Sequence, residues 1–300
     1  MDMTQNKFCR HGASLRRRRR RRRKILRSII FSCSIIAVAV FVTVGSSMIR
    51  SGDGRTNKYD VEARNNTYDN AVIENSKISE KNKIQNNQSM LDDIMNSTQY
   101  PKQLKDLALK NEEALEFVYD YPTEHVKEHT IDLTEEASMD SVPLFVQWDK
   151  RWGYEKYSGN FFAASGCGPT TLSMVVVYLT HNRDASPIAV AKYSKEAGYS
   201  VDGSGSSWTL ISEGCRHYGV KAKTVALDES RMKAELDEGH PIVVNVGPGD
   251  FTDTGHFMVI TGYDDEGFSI NDPNSIEKSG KRWLFKNISS QIRAVWSMYV

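Results

Sequence analysis

Near the N-terminus, 22 consecutive residues from Ser28 to Ile49 carry no charge and are mostly Ile, Val, Ala and Phe. An α-helix of that length spans the roughly 30 Å hydrocarbon core of a bilayer. The basic run Arg16 to Lys24 precedes the segment, whereas few basic residues follow it. The positive-inside rule therefore predicts a single-pass protein of the cell membrane, with residues 1–27 cytoplasmic and residues 50–300 extracytoplasmic.

Two other interpretations of this region are weaker. A cleaved signal peptide has an apolar stretch of only about 7–15 residues before a small-residue cleavage site, a role that Ser46 and Ser47 fit weakly. A nuclear or nucleic-acid-binding patch would explain the Arg run but not the apolar segment after it. Length and flanking charge together favour an uncleaved signal anchor over residues 28–49.

The net charge of +1 conceals a strong asymmetry. Twelve of the 39 Lys and Arg, but only one of the 38 Asp and Glu, lie in residues 1–27. The rest of the chain therefore has 27 basic and 37 acidic side chains, a charge of −10. A nucleic-acid-binding domain needs positive charge on its own surface, so we expect no nucleic-acid partner for the main domain.

Residues 50–96 are predicted to be a disordered extracytoplasmic tether, because they contain nine Asn and show no sustained hydrophobic period. Apolar residues then recur at helical spacing, which predicts a helical extension over 97–139 that packs on the following domain. We expect Tyr121-Pro122 to end this helical pattern. The residues that form the pattern are Leu104, Leu107, Ala108, Leu115, Phe117 and Val118.

One short motif in the extension, His125-Val126-Lys127-Glu128-His129, matches the H-x-x-E-H pattern of some zinc peptidases. It has three fixed positions and lies in a polar stretch rather than on an apolar-faced helix. We therefore interpret these residues as solvated, and we predict neither a metal site nor a cofactor.

Cys167 lies in the segment Ser165-Gly166-Cys167-Gly168-Pro169, directly before an apolar run. Apolar residues at helical spacing after it predict an amphipathic helix with one buried face, and Pro169 suits the first turn. The unpaired N–H groups and the dipole at a helix start favour a thiolate, which would make Cys167 a nucleophile. We expect the flanking glycines to keep the approach to the sulfur open and to allow a tight turn.

Cys167 has two competing interpretations. It could be a buried structural cysteine, although its neighbours in sequence, two glycines and a proline, offer few apolar side chains to pack against. It could also form a disulfide with Cys215, which we assign instead to the buried face of a helix. The remaining cysteines, Cys9 and Cys33, lie in the basic tail and the apolar segment, and no metal-ligand spacing of Cys and His occurs.

His256 and Asp272 lie on two consecutive predicted strands. His256 starts the apolar run that ends near Tyr263, and the alternating segment Phe268 to Asn271 leads to Asp272. A short turn between the runs predicts an antiparallel hairpin. Such a hairpin can place Asp272 beside His256, so we predict a nucleophile, a base and an orienting acid in Cys167, His256 and Asp272.

Three blocks of sequence, residues 142–153, 165–175 and 255–275, together resemble the cysteine peptidases related to bacteriocin-processing double-glycine peptidases, in the papain-like superfamily. The resemblance covers roughly residues 140–300 and implies a papain-like cysteine peptidase domain there. In that family a Gln before the nucleophile donates to the oxyanion, and Gln147 matches it. The best-known members are fused to a transporter and cut at Gly-Gly sites in the cytoplasm, so their specificity is not carried over.

The fold expected is α+β, with N-terminal helices packed on an antiparallel sheet. The function expected is hydrolysis of peptide bonds in a peptide or protein substrate, by Cys167, His256, Asp272 and Gln147. A cell-wall amidase, an acyl transferase and a catalytically idle peptide-binding module remain as alternatives. The segment 203–208 is expected to connect two helices rather than line the cleft. The sequence does not predict the oligomeric state.

Overall fold

The structure is a computed structural model and describes residues 79–300. The predicted cytoplasmic tail (1–27), the predicted signal anchor (28–49) and most of the predicted tether lie outside the described residues. Within residues 79–300, no helix combines the length and the apolar composition that crossing a bilayer requires.

The described chain begins with five helices, which we call the N-terminal extension (residues 79–138). A 3-10 turn, Glu112–Ala114, follows the second helix. The helices are α1 (79–96), α2 (Lys102–Lys110), α3 (Leu115–Tyr119), α4 (Tyr121–Glu124) and α5 (Thr134–Ser138).

Helix α1 lies where the sequence predicted the last part of a disordered tether. Ile94 is fully buried, and Met90 and Leu91 pack with it against α2 and α3. Three apolar residues on one face are enough to dock a helix on an existing cluster, but they are too few to produce a visible period in an Asn-rich window. Pro122 also differs from expectation, because it lies in the first turn of α4, where a missing N–H costs nothing.

A six-stranded antiparallel sheet forms the C-terminal half, in the order β5-β10-β6-β7-β8-β9. The predicted hairpin is confirmed, because β7 and β8 pair antiparallel with Val259 opposite Asn271. The strands are β5 (Lys221–Thr224), β6 (Ile242–Val246), β7 (His256–Asp264), β8 (Gly267–Asn271), β9 (Arg282–Trp283) and β10 (Ile292–Tyr299).

Both faces of this sheet are covered, because alternate residues of a strand point to opposite sides. Val243 and Val259 join the core that contains the long helices, whereas Val244 and Met258 join a second core with the short helices of the other face. The helices after the extension are α6 (Phe162–Ser165), α7 (Cys167–Thr180), α8 (Pro187–Glu196), α9 (Thr209–Ser212), α10 (Glu229–Asp237), α11 (Ile276–Ser279) and α12 (Phe285–Ile288).

Helix α7 is buried on all sides through the ten residues Gly168 to Val177, rather than on one face as the sequence analysis expected. Its buried polar residues are small, and two of them bond to carbonyls of neighbouring segments: the Thr171 hydroxyl donates to the Phe257 carbonyl at 3.1 Å, and the Ser173 hydroxyl donates to the Ala185 carbonyl at 2.5 Å. A helix surrounded by protein tolerates such residues on every face. The predicted α+β arrangement of helices on an antiparallel sheet is confirmed.

Two small hairpins complete the fold near the start of α7. One pairs β1 (Lys156–Tyr157) with β2 (Asn160–Phe161), and the other pairs β3 (Ser200–Val201) with β4 (Gly205–Ser206). The Gly203 N–H donates to the Ser158 carbonyl at 3.0 Å, so the two hairpins contact each other through their turns.

Candidate active site

Cys167 is the first residue of α7, the long central helix. Its N–H therefore has no acceptor within the helix, and the helix dipole favours negative charge at this end. The glycines on either side are required for space rather than for conformational freedom. A Cβ on Gly166 would lie 2.6 Å from the Phe162 ring, and a Cβ on Gly168 would lie 2.5 Å from the Ser206 hydroxyl.

His256 is the first residue of β7, and β7 is fixed to α7 by the hydrogen bond from Thr171 to the Phe257 carbonyl. The Asn245 side chain on β6 donates to the His256 carbonyl at 3.2 Å. The strand carrying the histidine is thus bonded on one side to the helix of Cys167 and on the other to the centre of the sheet.

Asp272 directly follows β8 and is fully buried. Its Oδ1 atom lies 2.6 Å from His256 Nε2 and accepts the Asn274 N–H at 2.8 Å. Because Nε2 is bonded to Asp272, Nδ1 is the ring nitrogen left for Cys167. The structure therefore brings Cys167, His256 and Asp272 together in one chain of hydrogen-bonding groups.

The charges in this chain act on one another strongly. Burial alone would raise the pKa of Cys167, but the hydrogen bond and charge of His256, together with the N–H groups of Phe257 and Gly168, lower it below the usual thiol value. Burial alone would lower the pKa of His256, but the charge and hydrogen bond of Asp272, and the contact with Cys167, raise it to about 10. Both shifts favour a thiolate beside an imidazolium.

Gln147 is buried next to the segment that precedes Cys167. Its Nε2 atom donates to the Ala163 carbonyl at 2.7 Å and has a longer contact of 3.3 Å with Asn274 Oδ1. The amide orientation is fixed, since exchanging its O and N would place two oxygens against each other at Ala163. One N–H of the Gln147 side-chain amide is thus firmly hydrogen-bonded, and the other makes only a weak hydrogen bond.

Sequence reasoning missed the contribution of the β3–β4 hairpin to this region. Ser206 lies against Gly168, and its hydroxyl is 2.6 Å from that of Tyr157. The hairpin therefore borders the residue after Cys167, whereas the sequence analysis expected only a connection. The signal was the run of Gly and Ser over 203–207, which permits close backbone packing but does not indicate what the backbone packs against.

Cys167 is neither disulfide-bonded to Cys215 nor a fully buried structural cysteine. Cys167 and Cys215 are both free thiols, so they are not joined to each other. Cys215 is fully buried, as predicted for that residue, in the 3-10 turn Gly214–Tyr218. Cys167, in contrast, is only partly buried and contacts a histidine.

Residues of the H-x-x-E-H motif lie in and after the turn that ends α4. The His125 ring stacks on Tyr121, Glu128 is exposed, and His129 Nε2 lies 3.2 Å from the Glu124 carbonyl oxygen. Across residues 79–300, no three His, Cys, Asp or Glu side chains are grouped so that they could bind a metal ion.

An α+β domain that places a cysteine at a helix start beside a histidine on a sheet strand has the organisation of a cysteine peptidase. The model of the Peptidase_C39 like family matches residues 139–300, more than half of the chain, and the protein therefore belongs to this family. A comparison with curated proteins found no match.

Two solved structures illustrate the similarity. The peptidase domain of Streptococcus ComA, a bi-functional ABC transporter involved in a quorum-sensing pathway, is 20% identical with a TM-score of 0.36, over 45% of this chain and 90% of that one. A double glycine motif protease from an AMS/PCAT transporter, in complex with the leader peptide, is 17% identical with a TM-score of 0.34, over 54% of this chain and 94% of that one.

Proposed function

We propose that this protein is a membrane-anchored, extracytoplasmic cysteine peptidase that hydrolyses peptide bonds. The observation that carries the proposal is the contact of Cys167 at the start of α7 with His256, whose other ring nitrogen lies 2.6 Å from the buried Asp272. Membership of a C39-like peptidase family supports the same type of chemistry.

In the proposed acylation step, the Cys167 thiolate attacks the carbonyl carbon of a peptide bond. A C–S bond forms, and negative charge develops on the carbonyl oxygen. We assign the stabilisation of that charge to the free N–H of Cys167 and to the weakly engaged N–H of Gln147. His256 gives its proton to the leaving nitrogen as the C–N bond breaks.

In the proposed deacylation step, neutral His256 removes a proton from water, and the resulting hydroxide attacks the thioester carbonyl. A C–O bond forms, the C–S bond breaks, and the thiolate and the imidazolium are restored. Asp272 stays ionised throughout and keeps His256 in the orientation that presents Nδ1 to the sulfur.

Cleavage of a complex peptide mixture, with new termini identified by mass spectrometry, tests the reaction. The full chain should generate new termini, whereas the Cys167→Ala variant and the iodoacetamide-treated protein should not. The same cleavages with Cys167→Ala would remove Cys167 from the mechanism. A parallel incubation with peptidoglycan fragments separates peptidase from amidase activity.

The predicted anchor at residues 28–49 makes the membrane part of the proposal. We expect the full chain to remain with membranes after extraction at alkaline pH, which releases peripheral proteins. Deletion of residues 28–49 should transfer the protein to the soluble fraction. Labelling of the catalytic domain by an impermeant amine reagent on intact cells would support the extracytoplasmic orientation, and labelling only after lysis would contradict it.

A further inference from the structure

We infer that the N-terminal extension positions groups of the active site. In this proposal, Asn111 and Glu113 are positioning residues, and the groups that they position are Asp272 and Gln147. The inference rests on the proposed function, because it takes Asp272 and Gln147 as members of the catalytic group. Neither Asn111 nor Glu113 lies in the part of the chain that the family model matches, which begins at residue 139.

Glu113 binds the turn that follows β8, residues 272–277, which we call the Asp272 turn. One carboxylate oxygen accepts the hydroxyl hydrogen of Ser275. The other oxygen accepts the backbone N–H groups of Ile276 at 2.7 Å and Glu277 at 3.1 Å. Three hydrogen bonds to one ionised carboxylate are strong bonds, and they fix the turn relative to the extension.

Asn111 makes a second connection between the extension and the Asp272 turn. Its Nδ2 atom donates to the Asn274 backbone oxygen at 3.0 Å and to the Asn274 side-chain oxygen at 3.1 Å. Its Oδ1 atom accepts the Glu113 N–H at 3.0 Å. Asn111 therefore joins the backbone that carries Glu113 directly to Asn274.

Asn274 continues these contacts into the candidate active site. Its N–H donates to the same Asp272 oxygen that faces His256, and its side-chain oxygen accepts the weak hydrogen bond from Gln147. The backbone N–H of Gln147 donates to the Pro273 carbonyl at 2.7 Å. A shift of the Asp272 turn would therefore move both the acceptor for His256 and the amide assigned to the oxyanion.

The extension also packs against the nucleophile side of the site. Phe161 and Ala163, which lie just before Cys167, belong to the same buried cluster as the apolar residues of α2 and α3. The Ala163 carbonyl is the acceptor for Gln147 Nε2. Residues 79–138 thus contact both segments that must be aligned, the one leading to Cys167 and the one containing Asp272.

Alignment matters here because catalysis depends on distances of a few tenths of an ångström, and a displacement of about 1 Å can cost about a hundredfold in rate. Loss of the Glu113 or Asn111 contacts leaves Asp272 in the chain but frees the turn that positions it. We expect a weaker interaction with His256, and in consequence less thiolate at Cys167 under acidic conditions.

The test measures the rate of iodoacetamide alkylation of Cys167 by mass spectrometry in the full chain, as a function of pH. Near pH 6, below the free-thiol pKa of about 8.5, Glu113→Ala and Asn111→Asp should each react about tenfold more slowly than the wild type. Asn111→Asp retains the oxygen that accepts the Glu113 N–H, but it replaces the donor to Asn274 with a charged oxygen that repels the Asn274 acceptors. Near pH 10 the rates should converge, because the thiolate then forms in every variant.

Glu112→Ala is the matched control. Glu112 neighbours Glu113 and carries the same charge, but its carboxylate accepts a hydrogen bond from Asn87 rather than from the Asp272 turn. We expect a wild-type pH profile from this variant. Glu113→Gln, which keeps one oxygen acceptor, should recover part of the rate that Glu113→Ala loses. Protection of the buried Cys215 from the reagent verifies that each variant is folded.

A wild-type pH profile for folded Glu113→Ala and Asn111→Asp, even with a lowered melting temperature, would overturn the inference and leave the extension a purely structural role. Alkylation requires no peptide substrate, so this result is independent of the peptidase test. Retained cleavage by Cys167→Ala would instead contradict the proposed function, whatever the alkylation profiles show.

Discussion

The start of α7 and the 3-10 turn Gly214–Tyr218 each contain a free cysteine. The pKa values of the two thiols are shifted in opposite directions from that of an ordinary thiol. Cys215 is fully buried in the larger core, and that burial raises its pKa to about 11. Burial acts in the same direction on Cys167, but the hydrogen bond and charge of His256, together with the N–H groups of Phe257 and Gly168, outweigh it, and the pKa of Cys167 falls below the usual value.

The difference shows that burial and reactivity are separate properties of a cysteine. Both thiols belong to the helical half of one domain, but only Cys167 faces a histidine whose pKa is itself raised by a buried carboxylate. A helix start contributes as well, through the N–H groups that solvate a thiolate. Substitutions that change one of these contributions at a time should therefore have effects of different size on Cys167.

Replacement of the base should make Cys167 resemble Cys215. With His256→Ala, only the smaller contributions of the Phe257 and Gly168 N–H groups still oppose burial. We therefore expect the pKa of Cys167 to rise above the free-thiol value and peptide cleavage to fall about 10⁵-fold. Cleavage assays and iodoacetamide labelling near pH 6 measure the two effects. His217→Ala, which removes an exposed imidazole stacked on Tyr193, is the matched control and should behave as wild type. Rapid labelling of Cys167 in His256→Ala would contradict the account.

Removal of the carboxylate charge alone should have a smaller effect. Asp272→Asn keeps the size of the side chain but loses the charge that raises the pKa of His256, and we expect kcat/KM to fall about 10³ to 10⁴-fold. Because Asp272 raises the pKa of His256, the wild-type imidazolium persists until the pH rises through about 10. In the variant the imidazolium should lose its proton at a lower pH.

The pH dependence of kcat/KM measures this shift of the alkaline limb. Asp264→Asn, at the exposed end of β7 where the carboxylate pairs with Arg282 at 2.7 Å, removes the same charge far from Cys167 and should leave the profile unchanged. An alkaline limb that stays near its wild-type position in Asp272→Asn would show that another group raises the pKa of His256.

Gln147→Ala should separate catalysis from thiol activation. We expect kcat to fall about 10²-fold, because one donor to the oxyanion is lost. Labelling of Cys167 by iodoacetamide should keep its wild-type rate, since alkylation creates no oxyanion. Equal losses in both measurements would mean that Gln147 acts on the structure around Cys167 rather than on the transition state.

The smallest effect is expected from Cys215→Ala. Because Cys215 contributes packing and no chemistry, we expect full activity and a free energy of unfolding reduced by about 1 kcal/mol. Urea denaturation with a cleavage assay on the same preparation measures both quantities. A loss of activity without a loss of stability would show that Cys215 takes part in function.

Local patterns were sufficient to predict much of the candidate site. A cysteine between glycines before an apolar run marked the start of α7, and a short turn between two strands brought Asp272 next to His256. These features depend on neighbours in sequence or on adjacent strands, which periodicity and turn chemistry describe. The assignment of Gln147, in contrast, came from family resemblance, because its partners Ala163 and Asn274 are distant in sequence.

The contribution of the N-terminal extension could not be predicted in the same way. Glu113 is 162 residues from Ser275, and no short-range pattern encodes a contact over that separation. The helix α1 was missed because its docking face has few apolar residues. The burial of α7 on all sides over residues 168–177 was missed because its small polar residues suggested a solvent-facing side. In each case the tertiary contacts, not the local sequence, determine the structure.

The most direct test of the account is a brief iodoacetamide pulse on the full wild-type chain over a range of pH, with both cysteines followed by mass spectrometry. We predict that Cys167 reacts rapidly well below pH 8.5, the free-thiol pKa, and that Cys215 remains unlabelled in the folded protein. Slow labelling of Cys167 that rises only above that pH would contradict a thiolate activated by His256, and would favour a domain that binds peptides without cleaving them.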